Sequence, residues 1–514
     1  MLLLAFAALC GVALAGSIRH AAPASGGPLR AFTAGPLERI RPTDAARPLV
    51  PVALWAARGE TQSFQVAVRG PARGVTAAMG PLTGAGGARI GAANVTLYRE
   101  QPVFVVHSTP YPGGPNPPDA PGAIPDALIP FSARGGRLRA QPFAVAAGHN
   151  AVVFADVLVP RDAAPGRYRG SLIVRAPGAG PVTVPVRLTV WRFALPATPT
   201  LGSSFGIWDV PRRQASELLL KNRLQPSAVH PVDERALRPL GLNAEGLSFW
   251  SGANVETCAF DPPPSAGAIR RAVRAIGTGL PIYDYSADEI DACPGSVEGL
   301  RAWGRALHAI GVEQLATATP SPALLDDGTG RPAVDIWVLG PDMTSAAAPY
   351  LPAVRQAGGQ IWLYTALVPD PAAPIWTLDE PLINERILPG FLAHALGATG
   401  VLSWRIDAFS GRDPWTVASE SVSGGDAYPG DGQLVYPGAE VGVAGVVPSL
   451  RLKALRDGEQ DYELLRLAAR SSLGTEANRI ASRVASNWTT WSRDPAVLER
   501  ARVRIGNLLD RSSS

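Results

Sequence analysis

Ile282-Tyr283-Asp284-Tyr285-Ser286-Ala287-Asp288-Glu289 is a run of apolar, aromatic and small side chains that ends on two adjacent carboxylates. Its length suits a buried strand, and its neighbours suit helices. Ala268–Ile276 before it and Val297–Ala309 after it carry apolar residues at the spacing of one helical face. A strand held between two helical segments is a βα unit. The same rhythm recurs on both sides, with strands expected at Phe205–Trp208, Ser227–His230, Glu256–Phe260, Gln314–Thr319, Val334–Val338, Ile361–Thr365 and Val401–Arg405. Eight strands in this succession predict a (β/α)8 TIM-type barrel.

Upstream the pattern is different. Glu60–Val68, Val152–Val159, Gly170–Val174 and Val182–Trp191 alternate apolar and polar residues and are separated by Gly- and Pro-rich turns. Period-two patterning of this kind predicts an antiparallel β-sandwich. Leu195-Pro196-Ala197-Thr198-Pro199-Thr200 reads as the junction. From Leu450 the chain turns helical, with Leu452, Leu455, Leu464, Leu465 and Leu467 as its apolar positions and further helix expected as far as Leu509. The organisation expected is therefore multidomain: a signal segment over 1–15, a sandwich over 16–197, a barrel over 198–470 and C-terminal helices over 471–514.

With 514 residues, 46 % apolar and 18 % charged, the chain has ample material for several cores and is not a disordered polymer. Its 54 Gly and 50 Pro follow no three-residue period, which excludes collagen. Basic and acidic residues number 47 and 43, for a net charge of +4, and they form no run of like sign. A nucleic-acid partner needs a clustered basic footprint, so none is expected. Lys221 and Lys453 are the two lysines; Arg supplies the other cations, which reflects codon usage rather than partners.

Leu2 to Leu14 is uniformly apolar or small, and Ala13-Leu14-Ala15 offers the small-x-small pattern of a signal-peptidase site, so cleavage is expected after Ala15 and the mature protein outside the cytoplasm. The run is shorter than the roughly 20 residues of a membrane span, and no later stretch replaces it. Cys258 and Cys293 remain after cleavage. In an oxidising compartment they pair as a disulfide or stand as two separate buried thiols. Two cysteines and six histidines assemble no zinc-site spacing, and the glycine patterns of dinucleotide and phosphate sites are absent, so neither metal nor cofactor is expected.

Barrel enzymes place their chemistry on loops at the C-terminal ends of the strands. Asp288 and Glu289 stand at such an end, and an enclosed pair can divide labour, one carboxyl held protonated while its neighbour stays ionised. The bland alternative is a solvated loop or a helix cap. Both serve one site only if the chain turns out of the strand, because adjacent strand residues face opposite ways. Asp379-Glu380 enters the site or caps the following helix. Asp335 and Asp407 are further acidic candidates, with structural hydrogen bonding as the competing role. Trp208, Trp250, Tyr283, Tyr285, Trp337, Trp362, Tyr364 and Trp404 gather near strand ends, as a pocket stacking the apolar faces of sugar rings requires. Gly202-Ser203-Ser204-Phe205-Gly206 matches the serine-hydrolase elbow in letters only, since no helix pattern follows it.

Gly430-Asp431-Gly432-Gln433-Leu434-Val435-Tyr436-Pro437-Gly438 and the stretch from Pro448 to Glu463 resemble glycoside hydrolase family 123 and the bacterial proteins that carry domain of unknown function 4091. Val334-Asp335-Ile336-Trp337, Trp362-Leu363-Tyr364, Arg386-Ile387-Leu388-Pro389 and Arg58 to Gln65 support the likeness in order. The resemblance implies a secreted enzyme that removes β-linked N-acetylhexosamine, N-acetylgalactosamine above all, with retention and with help from the substrate's acetamido group. It implies that Asp288 orients the acetamide and Glu289 acts as acid and base. Trp208, Tyr285, Asp335, Trp337, Tyr364, Arg386 and Trp404 then form the sugar-binding set. The strand end at Tyr364 carries no carboxylate, as a substrate-borne nucleophile allows. Two other readings compete: a glycosidase pairing Glu289 with Asp379 or Asp407 in an inverting arrangement, and a non-catalytic glycan-binding envelope protein.

Overall fold

Alternation of side chains along Val182–Ala194 buries Val184, Val186, Leu188 and Val190 and turns Thr183, Pro185 and Arg187 outward. Each buried aliphatic contributes about 1.5–3 kcal/mol. The same period operates on Thr61–Arg69, where Phe64, Val66 and Val68 share that core. In the computed structural model, which describes residues 28–277, 279–367, 370 and 372–513, these strands lie in two sheets of five and seven strands. The five-stranded sheet is antiparallel throughout, and in the other only Val52–Arg58 runs parallel to its neighbour Val182–Ala194. One apolar cluster joins both. The signal segment expected at 1–15 lies outside the described residues.

A seven-stranded sheet with every pairing parallel follows. Its spatial order is Gly202–Phe205, Gly400–Ser403, Gln360–Tyr364, Ile336–Leu339, Glu313–Thr317, Ile282–Ala287 and Glu245–Leu247. Between the two outer strands lies Gln225-Pro226-Ser227, joined to Phe205 by hydrogen bonds of 3.0 and 2.9 Å. Tyr283 reaches across this gap to Ser204 Oγ and Ser227 O, at 3.1 Å each. The strand expected at Ser227–His230 is thus reduced to one bridge at Pro226, a residue with no N–H to extend a ladder. The strand expected at Glu256–Phe260 is corrected to Glu245–Leu247. Asn254 Oδ1 accepts from the N–H groups of Glu256 and Thr257, and this folds the segment into a turn. Helices Ala266–Ile276 and Ser296–His308 flank Ile282–Ala287 as their apolar spacing requires.

Helix Leu450–Ala469 starts at Ser449, whose hydroxyl accepts from the Leu452 N–H at 3.0 Å, and is buried along most of its length. Gly458 permits that burial: a Cβ there would stand 2.3 Å from Arg386 O on the neighbouring helix Ile383–Ile387. The helix carries charge into the contact between the antiparallel sheets and the parallel one. Arg451 pairs with Asp126 at 3.0 Å, Arg456 and Lys453 with Asp156 at 3.0 and 2.9 Å, and Glu459 with Arg223. Gln460 both accepts from Thr61 N and donates to Thr61 O, which a carboxylate could not do. Gly474–Ala481 and Pro495–Ser512 complete the helical region. Among the described residues no helix is long and apolar enough to cross a membrane.

Candidate active site

The Ile282–Ala287 strand delivers its two terminal carboxylates to one side by leaving the sheet. Its ladder with Glu313–Thr317 slips between Tyr285 and Ala287, and Glu289 adopts φ +50°, so the alternation of the strand is broken where the pair begins. The Asp288 N–H donates to Ala253 O at 3.1 Å, and Ser251 is bonded to Ser286 O. Cys258 and Cys293 form a disulfide that clamps the same outer segment to the loop carrying the pair.

Each carboxylate meets one phenol. Tyr285 donates to Asp288 Oδ1 at 2.6 Å and lies 2.8 Å from Thr317 Oγ1. Tyr364, at the end of the Gln360–Tyr364 strand, donates to Glu289 Oε1 at 2.6 Å. Burial raises the pKa of Asp288 against the stabilising Tyr285 and Thr317 hydroxyls. Burial also raises that of Glu289, and the Asp288 and Asp342 carboxylates add to the rise while Tyr364 opposes it. Both acids therefore hold their protons to higher pH than free carboxyls, and no cation is among the causes.

Trp404 follows the Gly400–Ser403 strand, next to Tyr364 in the sheet, since Tyr364 and Leu402 are register partners. Its indole N–H donates to Asp431 Oδ2 at 3.1 Å, and Trp208 meets it edge to face at 5.9 Å. Trp208 is 65 % exposed yet fixed, because Asp407 Oδ2 accepts from the N–H groups of Trp208, Asp209 and Val210 at 2.7–3.0 Å. Arg405 lies over both indoles, 4.9 and 5.5 Å from their centroids. Trp250, 45 % exposed, stands edge to face with Tyr285 at 5.9 Å. The arrangement is an acid pair walled by tyrosines and flanked by indoles, which suits acid–base work on a sugar.

Comparison with known proteins bears on the fold that carries this geometry. The model of the glycoside hydrolase 123 catalytic domain matches residues 331–468. A family 123 glycoside hydrolase from Clostridium perfringens, studied for glycolipid glycan hydrolysis, superposes with a TM-score of 0.64 at 13 % identity, over 95 % of this chain and 98 % of its own. Residues 331–468 thus match a glycoside hydrolase catalytic domain, and the chain shares the fold of a family 123 glycoside hydrolase. A family 39 glycoside hydrolase from the gut symbiont Bacteroides cellulosilyticus WH2 gives a TM-score of 0.33 at 11 % identity, covering 79 % of this chain and 81 % of its own. No curated protein matches the sequence.

Not every residue expected in the sugar site of this glycoside hydrolase lies there. Asp335 precedes the Ile336–Leu339 strand, at the end of the sheet away from the acid pair. Its carboxylate is taken by Arg331 at 2.7 Å and by His308 and the Gln314 N–H at 2.8 Å. Trp337 has no exposed surface and packs in the core. Arg386 is buried against Asp461 at 2.7 Å and Glu499 at 3.4 Å, where it holds helices together. The acids considered as alternative partners of Glu289 are also engaged elsewhere. Asp379 accepts from Thr109 N and Oγ1 at the sheet contact, Glu380 from Asn116, and Asp407 from three backbone N–H groups. In their place stand Asp342, Asp431 and Thr317, for which the sequence reading assigned no role. For Asp431 a signal existed: glycines on both sides of one acid mark a tight turn built to aim it.

Proposed function

We propose that this glycoside hydrolase is a secreted, retaining exo-β-N-acetylhexosaminidase, with N-acetylgalactosamine as the favoured sugar, whose acetamido group supplies the nucleophile. The supporting observation is the acid pair itself: two adjacent carboxylates, each hydrogen-bonded by a tyrosine and unpaired with any cation among the described residues. The site sits at the mouth of a (β/α)8 barrel, beside a β-sandwich, in this reading.

With the pyranose on Trp404, Asp288 accepts the acetamide N–H and so raises the nucleophilicity of the acetamido oxygen. That oxygen attacks the anomeric carbon as the glycosidic C–O bond breaks, and the leaving oxygen takes its proton from Glu289. The oxazolinium ion that results is stabilised by the Asp288 carboxylate. Glu289, now ionised, takes a proton from water, whose oxygen attacks the anomeric carbon from the leaving-group side. The acetamide re-forms and the β configuration is kept. Tyr364 donates to Glu289 in the free protein and to the acetamido oxygen in the complex.

Hydrolysis of aryl β-glycosides tests this reading. Wild type should cleave the N-acetylgalactosaminide and N-acetylglucosaminide but not their non-acetylated parents, and Glu289→Gln should lower the activity by about 10²–10⁴-fold. Cleavage of the parents would replace substrate assistance by an enzyme nucleophile, and inactivity on every glycoside that nonetheless binds would favour a glycan-binding role.

A further inference from the structure

Asp431 is 4 % exposed and sits in a turn whose construction serves its position. The flanking Gly430 and Gly432 have φ +70° and +67°, and a Cβ on Gly432 would stand 2.5 Å from Trp404 Cζ2. Glycine on either side thus supplies the left-handed backbone, and Gly432 also lets the turn lie against the indole. The turn is bolted to the chain beyond the Gly400–Ser403 strand by Ala408 N to Gly432 O at 2.9 Å and Leu434 N to Ile406 O at 2.8 Å. Arg451 holds it from behind, donating to Gly430 O at 2.7 Å. The outcome is a carboxylate set against the N–H edge of Trp404, which follows the strand next to that of Tyr364, the phenol bonded to Glu289. Burial raises its pKa to about 6 against hydrogen bonds from Trp404 and Ser421 and the charge of Arg451, and the Glu289 carboxylate adds to the rise.

We infer that Asp431 is a specificity-determining residue that accepts a hydrogen bond from a ring hydroxyl of the sugar seated on Trp404. This rests on the reading of the Asp288–Glu289 mouth as the sugar site. A carboxylate whose Oδ2 is engaged by Trp404 is fixed in orientation, and a fixed acceptor discriminates between hydroxyl configurations more sharply than a mobile one. The ligand class is a neutral pyranose with free ring hydroxyls, and the deoxy analogues below identify which of them is engaged.

The test compares wild type, Asp431→Asn and Trp404→Phe by calorimetric binding of N-acetylgalactosamine and its 4-deoxy and 6-deoxy analogues, with kcat and KM for the aryl glycosides alongside. Wild type should lose about 10- to 100-fold in affinity when the engaged hydroxyl is removed, the range of a hydrogen bond to a charged group. Asp431→Asn should show the same loss for the parent sugar and no further loss for that analogue, with KM raised more than kcat is lowered. Trp404→Phe should bind weakly and with a smaller deoxy penalty, because the indole N–H that fixes Asp431 is gone. If the penalty survives in Asp431→Asn, or if wild type shows none, Asp431 only supports Trp404 and the inference is overturned. Sugar binding with the expected penalty but no hydrolysis would overturn the proposed activity and leave the role of Asp431 standing; no binding of any of the sugars would overturn both.

Discussion

Along helix Leu450–Ala469, Asp126 meets Arg451 at 3.0 Å and Asp156 meets Arg456 at 3.0 Å; beyond the Ile282–Ala287 strand, Asp288 and Glu289 meet hydroxyls, Tyr285 and Tyr364 at 2.6 Å each and Thr317 beside Asp288. Both regions take carboxylates out of water, which is costly unless the charge is compensated. For Asp126 and Asp156 the compensation is a cation, and the pairs tie the helix to the antiparallel sheet. Asp156 shows the result: burial would raise its pKa, but Arg456 and Lys453 outweigh burial and bring it to about 2. At the mouth burial raises the proton affinity of both acids and the hydroxyls offset it only in part, so a transferable proton is held to higher pH than on a free carboxyl. Asp156 and Glu289 thus differ in the neighbours that meet their buried charge, two cations for the first and a phenol for the second.

The sharpest way to break this comparison is to remove charge from each region in turn. Asp288→Asn and Glu289→Gln should each lower kcat/KM by about 10²–10⁴-fold while leaving the thermal midpoint near that of wild type. Asp126→Ala should do the reverse, costing about 3–5 kcal/mol because Arg451 is left buried and unpaired; denaturant unfolding measures it. Replacing Cys258 and Cys293 by Ser lies between the two. The chain-entropy model gives a loss of about 3–4 kcal/mol for a separation of 35 residues, and activity should fall too, since the clamp reaches the loop carrying Asp288. A stability loss with unchanged kcat would show that the clamp does not position the pair.

Two pH effects sharpen the contrast further. Burial carries Glu100, Glu380 and Glu385, at the contact between the sheets and the helices, to about 8 from 4.5. The folded state then binds more protons than the unfolded one between these values. The thermal midpoint should therefore be highest near pH 4.5 and fall as pH rises through about 8, a trend that Glu385→Gln should flatten. Tyr364→Phe is expected to act more gently on the mouth. It removes a hydrogen bond that favours ionised Glu289, so the Glu289 pKa should rise and the basic limb of the kcat/KM profile should move to higher pH. A limb that moves down would contradict Glu289 as the proton donor.

Period two in Val182–Trp191 and the apolar run Ile282–Ala287 were legible because a strand's burial pattern is written in consecutive residues. Ile282–Ala287 runs between the residues expected. Glu256–Phe260 misled, since its apolar letters belong to a turn closed by Asn254 and a disulfide. Within the site, Asp288, Glu289, Tyr285, Tyr364, Trp208 and Trp404 come together, whereas Asp335, Trp337 and Arg386 do not. All three lie in or beside the expected elements, but a strand has two ends and a helix several faces, and residue type does not state which is presented.

By itself the sequence determined the two rhythms, period two before Leu195 and alternating strand and helix after it, and with them the acid pair at the end of a short strand. These are local properties, fixed by the backbone geometry that neighbouring side chains allow. The tertiary structure decided the rest: that Tyr285 and Tyr364, 3 and 75 residues from their acids, supply the hydroxyls, and that Asp431, 27 residues beyond Trp404, orients its indole. Those contacts depend on how strands are ordered in the sheet and where loops return, which is set by packing over the whole core and not by any window of sequence.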